Sequence, residues 1–569
     1  MRWLWEVSKP APWLAQCLMQ RNIPKPLYPL LTRLHFANEA ELDRFLKPSL
    51  KDVEDPQRIL NLEHAVHALH QACKRKKRIA VVSDYDVDGV TSMALMHRFF
   101  SYFDFSFTPF FPDRDTEGYG LTERVVDRIL SQNKPFDFLI SMDCGTNSIE
   151  AIQKLRTVGT QVIIIDHHRH TRESLPDAIL VNPHVDEDKH SVSSKNLCTA
   201  GLVFKCIHAW VKILKNEKNE KLVTFKLRDL LDLVALGTIA DIVPLIQENR
   251  LWVYFGLRTM QKTKHVGLKA LLQMAQCAFL PALTVEDVSF RLAPRINASG
   301  RLASANLPYQ LLTAEDTHNG SILAQQLDAL NGERQKIEEE ILQEAESLIA
   351  KKTEPYAYVL YQKHWHAGVV GIVAGRLTRK YHKPVFVLGE HEGFAKGSGR
   401  SIPEVNLVEV FSQANDLLMH WGGHPGAVGL TLSLENLKAF EDKINQIIKE
   451  KLPDGIPEAT LLITSELNPS DITPAFLEQI DQLAPFGQSY EAPVFVLKHL
   501  ILKQPAIPLG ASKKHLKIKF DYPWTIVGWN RPAGQIPVGE PIDLAVRLEW
   551  SYWQGLRSLQ LQLVDWHCC

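Results

Sequence analysis

The chain has 569 residues, 45% of them hydrophobic and 23% charged, with a formal net charge of −1. This is the make-up of a soluble protein of several domains. It excludes a disordered chain, and the near-neutral balance excludes a globally basic nucleic-acid binder while leaving room for a locally positive cleft. Eight cysteines without a CxxC pair fit neither a disulfide framework nor a zinc site, so reduced, mostly buried thiols are expected.

In chain order, the opening MRWLWEVSKPAPW lacks the apolar core of a signal peptide, and residues 1–50 are expected to form a segment packing on the core. The most apolar run, LLDLVALGTIADIVPLI, is interrupted by Asp232 and Asp241, which argues against a membrane span and for a cytoplasmic location. The basic cluster KRKKR, Lys74 to Arg78, reads equally as a solvated helix end or a phosphate contact. From about residue 51 to 250 the short apolar strands RIAVVS, FDFLIS and QVIIID alternate with amphipathic helical stretches, the pattern of a Rossmann-like parallel sheet, within a domain expected to span 51–320. Residues 321–352 predict one long charged connecting helix with Gly332 as a weak point, and 353–452 a smaller α/β domain. From 453 to 569, VFVLKHLILK, HLKIKF, WTIVGWN, IDLAVRLEWSYW and SLQLQLVDW predict an all-β barrel.

The stretch VVSDYDVDGVTS places Asp84, Asp86 and Asp88 directly after a strand and before a glycine and a helix. A calcium loop of the EF-hand type would need a bidentate Glu at its twelfth position, where Leu95 stands, so that reading fails. The next strands end in the same manner, FLISMDCG in Asp143 and QVIIIDHH in Asp166, His167 and His168, and Asp241 closes an apolar helix. Carboxylates gathered at one edge of a sheet repel one another unless cations neutralise them, and a set with a single imidazole suits Mn²⁺ or Mg²⁺ better than Zn²⁺. Two such ions suit phosphoryl transfer.

With these residues in view, the chain resembles the DHH phosphoesterases, the family named for the triplet found here as Asp166, His167 and His168. The resemblance runs through SDYDVDG, PDRDTEGYGL, SMDCG, IDHH, ALGTIADIVPL, RINASGRL, HWHAGVVGIVAGRL, GSGRSI, GGHPGAVGL and LAPFGQ, so it covers nearly the whole chain. It implies an α/β fold: a Rossmann-like DHH domain with a parallel sheet, joined by a long helix to a smaller DHH-associated domain, plus a C-terminal OB-fold barrel. The activity implied is that of the family's single-strand-specific exonucleases, which degrade DNA 5′→3′ to 5′ mononucleotides in recombination and repair.

Carried across residue by residue, the resemblance implies two Mn²⁺ or Mg²⁺ ions on Asp84, Asp86, Asp88, Asp143, His167 and Asp241, with Asp86 and Asp143 bridging. Asp84 either holds a metal or steadies its neighbours. His168 would face the substrate as a donor, and Asp166 would orient the imidazole. Arg114, Ser398, Arg400 and His424, with the glycines of GSGRS and GGH, would take the terminal 5′ phosphate. Arg295, Asn297 and Arg301 would touch the DNA backbone, although salt-bridged arginines are an equal reading without the family. In the barrel, Trp524, Trp529, Trp550 and Trp553 are candidate stacking platforms and Lys513, Lys514, Lys517 and Lys519 candidate phosphate contacts. The implied partners are single-stranded DNA, a single-strand-binding protein and a RecQ-type helicase, with the chain a monomer. A small-substrate phosphoesterase would generally lack residues 454–569, and a non-enzymatic scaffold of the same superfamily would lack ligands that are all present here.

Overall fold

The computed structural model describes residues 1–6, 9–114, 116–189, 191–510, 513–553 and 556–569. The chain forms two compact units. One comprises Ile59–Asp241 and Arg258–Ala459; the other gathers Met1–Arg58, Ile242–Leu257 and Thr460–Cys569. The expected catalytic segment 51–320 therefore gives up residues 51–58 and 242–257 to the second unit. Among the described residues no helix is long and apolar enough to cross a membrane.

The first unit is built on a five-stranded, wholly parallel sheet in the order Thr108–Phe110, Ile79–Ser83, Phe138–Met142, Gln161–Ile165, Ile179–Val181. Every residue of IAVVS and FLISM is buried, as a strand covered on both faces by helices requires. From Ile79–Ser83 the chain steps outward to Thr108–Phe110, then crosses back to Phe138–Met142 on the other side. That reversal opens a crevice at the carboxyl ends of these two strands, where open α/β sheets place their ligands. Asp84 and Asp143 immediately follow them. The KRKKR cluster lies on the surface: Lys74 pairs with Glu217, Lys77 with Asp137, and Arg78 covers the Phe136 ring.

The long helix runs Thr317–Ile349, starting four residues earlier than the sequence suggests because Asp316 caps it through the Asn319 amide. It continues through Gly332 without a break. A second sheet follows in the order His420–His424, Ala427–Ser433, Phe394–Arg400, Val385–His391, Tyr358–Tyr361, parallel only between its last two strands. Helices Leu407–Gln413 and Leu437–Lys451 close its core around Phe386, Phe411 and Phe440.

In the second unit a seven-stranded, mostly antiparallel sheet runs from Ser465–Glu466 through Phe495–Ile501, Pro541–Trp553, Leu556–Cys568, Thr525–Gly528 and His515–Lys519 to Ile507–Leu509. The strands predicted from the sequence are all present, with one added helix, Pro474–Leu483, capped by Thr473. The N-terminal segment shares this core: Leu14, Leu18, Leu30 and Leu31 pack with Phe495, Leu544 and Leu561. Arg2–Trp5 also pairs in parallel with Thr460–Ile463.

Candidate metal centre

The strand ending at Ser83 delivers Asp84 to a site with no solvent exposure, where neither carboxylate oxygen has a hydrogen-bond partner. Asp86 caps the helix Val87–Tyr102 by accepting from the Gly89 amide at 3.0 Å. Gly89 is obligatory at this turn, because a Cβ there would stand 2.3 Å from the Asp84 carbonyl oxygen. Asp88 accepts from the amides of Thr199 (2.7 Å) and Ala200 (2.8 Å), the first turn of helix Thr199–Asn216, whose positive end suits a carboxylate.

Asp143 sits in the left-handed region at φ 59°, a conformation that costs an L-residue about 1–2 kcal/mol. Its Oδ1 accepts from the Thr199 hydroxyl at 3.0 Å and lies 3.4 Å from His167 Nε2. That nitrogen is also 3.5 Å from Asp241 Oδ2 and 3.8 Å from Asp88 Oδ2. Asp241 arrives from the end of helix Leu231–Ala240, which lies close enough for a Cβ on Gly237 to meet Thr91 Oγ1 at 2.6 Å and Ala200 Cβ at 2.7 Å.

Ligand atoms thus gather in sets no wider than 4.8 Å: Asp84, Asp86 and Asp143 in one; Asp88, His167 and Asp241 in another; Asp143, His167 and His168 in a third. Asp143 belongs to two of them, whereas Asp86, expected to bridge as well, belongs to one. Burial pushes the carboxyls of Asp84 and Asp143 well above the usual carboxylate range, and neighbouring aspartates add to it. Burial and then Asp241 raise Asp88, while burial and then Asp86 raise Asp241 to about 8. Asp84, Asp241 and His167 Nε2 carry buried ligand atoms without hydrogen-bond partners. Such groups are costly unless cations take them up, and this donor set of carboxylates with one imidazole fits Mn²⁺ or Mg²⁺.

Asp166 is of another kind. It accepts from the Thr146 amide and hydroxyl, the His167 and His168 amides, and His168 Nδ1 at 2.7 Å, which saturates it. Burial works against its charge, but His168 and these donors outweigh it and hold the carboxyl well below the usual range. For His168, burial likewise opposes the charge and Asp166 prevails, raising the imidazole to about 9. A protonated ring donates from both nitrogens and cannot ligate, so its Nε2 remains a donor beside the Tyr119 hydroxyl at 3.1 Å.

The chain is similar along its length to known proteins. Models of the DHH family N-terminal domain, the DHHA1 domain and the RecJ OB domain match residues 78–238, 354–450 and 463–565. The single-stranded-DNA-specific exonuclease RecJ of Haemophilus influenzae is 34% identical over 95% of this chain and 96% of its own. The chain belongs to the RecJ family. RecJ of Bacillus subtilis is 32% identical over 99% of this chain and 70% of its own. The crystal structure of RecJ from Thermus thermophilus in complex with Mn²⁺ aligns with a TM-score of 0.81 at 26% identity, covering all of this chain and 79% of that one. The Mg²⁺ complex of the same protein gives 0.77 at 26% identity, over 99% of this chain and 78% of that one. This RecJ family chain is a metal-dependent enzyme of the DHH type.

Beside the acidic site lies a cationic one. Arg301 donates to the Gly368 carbonyl at 2.9 Å; its guanidinium is pushed down to about 10, first by burial and then by Arg114, Arg334 and Arg400. Arg114 stands over the Tyr85 ring, and burial followed by Arg400 lowers His424. Ser398 Oγ and Arg400 Nη2 point at one spot, 3.2 and 3.3 Å from where a Gly371 Cβ would be.

The glycines of GSGR differ from expectation. They lie within Phe394–Arg400, an interior strand whose backbone pairs on both sides, so their amides are committed to the sheet. Gly397 and Gly399 instead admit Val387 and Phe386, which would stand 2.1 and 2.5 Å from a Cβ. Gly422 and Gly423 do lie on an edge strand, and Pro425 and Gly426 make the turn that returns it.

Arg295 is placed apart from this group by an ion pair with Asp328 at 2.8 Å and a bond to the Arg291 carbonyl, and Asn297 is half-buried on the same helix. In the other unit Trp524 is buried and Trp550 donates to Asp481 beneath Arg557, which leaves Trp529 on the surface; the Trp553 side chain lies outside the described ones. Asp115 of the PDRDTEGYGL motif also lies outside the described residues. Sequence reasoning missed Thr199 and Tyr119. Tyr119 lies within PDRDTEGYGL, next to the glycine that ends its turn.

Proposed function

We propose that this chain degrades single-stranded DNA from the 5′ end to 5′ mononucleotides, in recombination and repair. In this reading Asp84, Asp86, Asp88, Asp143, His167 and Asp241 hold two Mn²⁺ or Mg²⁺ ions. The observation that carries it is the convergence of these six residues, several with unpartnered buried ligand atoms, at the crevice between two parallel strands. Ions bound there supply an activated water and neutralise charge on the phosphodiester.

The chain's own residues do the rest. Arg114, Arg301, Ser398, Arg400 and His424 receive the terminal 5′ phosphate, which fixes polarity by setting one phosphodiester over the acidic site. Asp166 keeps His168 charged and oriented, and the Nε2 proton is available to the leaving 3′ oxygen. The proposed segments are 51–320 for the catalytic domain, of which 51–58 and 242–257 belong to the other compact unit, 321–352 for the connecting helix, 353–452 for the phosphate-receiving domain and 453–569 for the strand-tracking one, with 1–50 packed on it. Arg295 and Asn297 contribute backbone contacts in this reading, and Arg295 would first have to leave Asp328.

We also infer that the protein acts as a cytoplasmic monomer on strands that a RecQ-type helicase and a single-strand-binding protein deliver; support comes from its substrate class. Light scattering of the pure protein and pull-down with each partner test this. For the activity, a single strand labelled at either end is incubated with Mn²⁺. Mononucleotide should appear first from the 5′ label and vanish in Asp143→Ala; early release from the 3′ label, or activity surviving that substitution, would sink the reading.

A further inference from the structure

Four groupings of metal-ligating side chains occur among the described residues, and three of them form the centre above. The fourth lies in the other unit and joins His499, Asp543 and Cys569. We propose that these three side chains form a second cation site, of the zinc class, on the β-sheet unit.

The backbone arranges the site. Where strand Phe495–Ile501 pairs with Pro541–Trp553, the register shifts between Leu497 and Leu500. His499 occupies this bulge with φ 53°, and its amide donates to Asp543 Oδ1 at 2.9 Å. A bulge of this kind re-aims a side chain, here the imidazole toward Asp543 and Cys569. On the far side Ile542 pairs with Cys568 and Asp543 with His567, while the Cys569 amide donates to the Pro541 carbonyl at 3.2 Å. Each candidate ligand is thus fixed by the backbone of one of three adjacent strands or of the residue that follows.

The three ligand atoms lie within 4.8 Å of one another. His499 Nδ1 is 3.3 Å from Cys569 Sγ, Sγ is 3.1 Å from Asp543 Oδ1, and Nδ1 is 3.9 Å from the same oxygen. Sulfur, nitrogen and oxygen ligands on one face of a tetrahedral zinc ion stand roughly 3.3 to 3.6 Å apart, so a bound ion would open the Sγ–Oδ1 pair and close the Nδ1–Oδ1 pair by a few tenths of an ångström. One thiolate, one imidazole and one carboxylate match zinc and its analogues, in contrast to the oxygen-rich donors of the catalytic centre. The fourth position is open to water, because His499 and Cys569 are exposed. Cys568 is excluded by strand alternation, which turns it to the opposite face. The absence of a CxxC pair argued against zinc at the sequence level; these ligands come together only through pairing of strands about 70 residues apart.

Cobalt(II) is the probe, since its thiolate charge-transfer absorption reports sulfur ligation and is silent for the carboxylate centre. Full-length protein, reduced with a phosphine and stripped of metal, is titrated with Co²⁺ alone. The expected result is a saturable near-ultraviolet band that Zn²⁺ displaces. Cys569→Ser should abolish it, and His499→Ala and Asp543→Asn should each weaken Co²⁺ binding by at least about tenfold. Cys568→Ser and Asp143→Asn should retain the band. No band in the unaltered protein, or a band that survives Cys569→Ser, overturns the proposal.

Discussion

Two charged regions in the same unit show opposite ways of leaving charge unpaired. At the sheet's carboxyl edge, aspartates from five positions face one another with little but His167 between them. A short way off, Arg114, Arg301 and Arg400 crowd together, and Arg301 feels the repulsion. A fold selected for stability alone would pair the two sets, as it does elsewhere: Glu338, buried in the long helix, binds both Arg334 and Arg376 at 2.6 Å. In the proposed reading the acidic set is kept for cations and the basic set for an anion.

The largest effect is expected from removing Asp143, which belongs to two of the acidic groupings. Asp143→Ala or Asp143→Asn should lower exonuclease turnover on the order of a thousandfold in Mn²⁺ while leaving binding of a 5′-phosphorylated strand nearly intact, read by anisotropy. On the basic side, Arg400→Ala should weaken a 5′-phosphorylated strand by roughly ten- to a hundredfold, the worth of a charged hydrogen bond. It should hardly change binding of a 5′-hydroxyl strand; equal losses on both would show that Arg400 does not read the terminal phosphate. Asp166→Asn, which removes the partner of His168 without touching the acidic set, should cost about ten- to a hundredfold in kcat.

The two smallest effects fall at Asp84 and Arg295. Asp84→Asn removes a buried carboxylate that lacks hydrogen-bond partners, so the metal-free protein should gain about 1 to 2 kcal/mol in denaturant unfolding even as activity falls. Arg295→Ala should change activity less than about twofold and stability by up to about 1 kcal/mol, because Asp328 already occupies it. A large loss of activity there would return Arg295 to the DNA path.

Much of the catalytic sheet was legible because buried parallel strands read as short continuous apolar runs, and their ends fall where the acids stand. The OB-like strands were legible from apolar residues alternating with polar ones, as in HLKIKF and SLQLQLVDW, while helix Pro474–Leu483 was not drawn from its sequence. What the sequence hid depends on contacts between distant segments. Thr199 reaches Asp143 only because a helix begins opposite the strand, and GSGR reads as a phosphate loop until its pairing with Val385–His391 and Ala427–Ser433 is known. The N-terminal segment's companionship with residues 460–569 is likewise a long-range packing choice that no local pattern announces.

The left-handed backbone at Asp143 restricts what the position can become. Asparagine and glycine tolerate that conformation, whereas alanine adds strain to the loss of a ligand. Asparagine is therefore the cleaner knock-out, with a melting curve close to that of the parent. A lineage that gave up hydrolysis but kept this sheet would be expected to drift to Asn or Gly here, which makes residue 143 a marker for telling retired descendants from working ones.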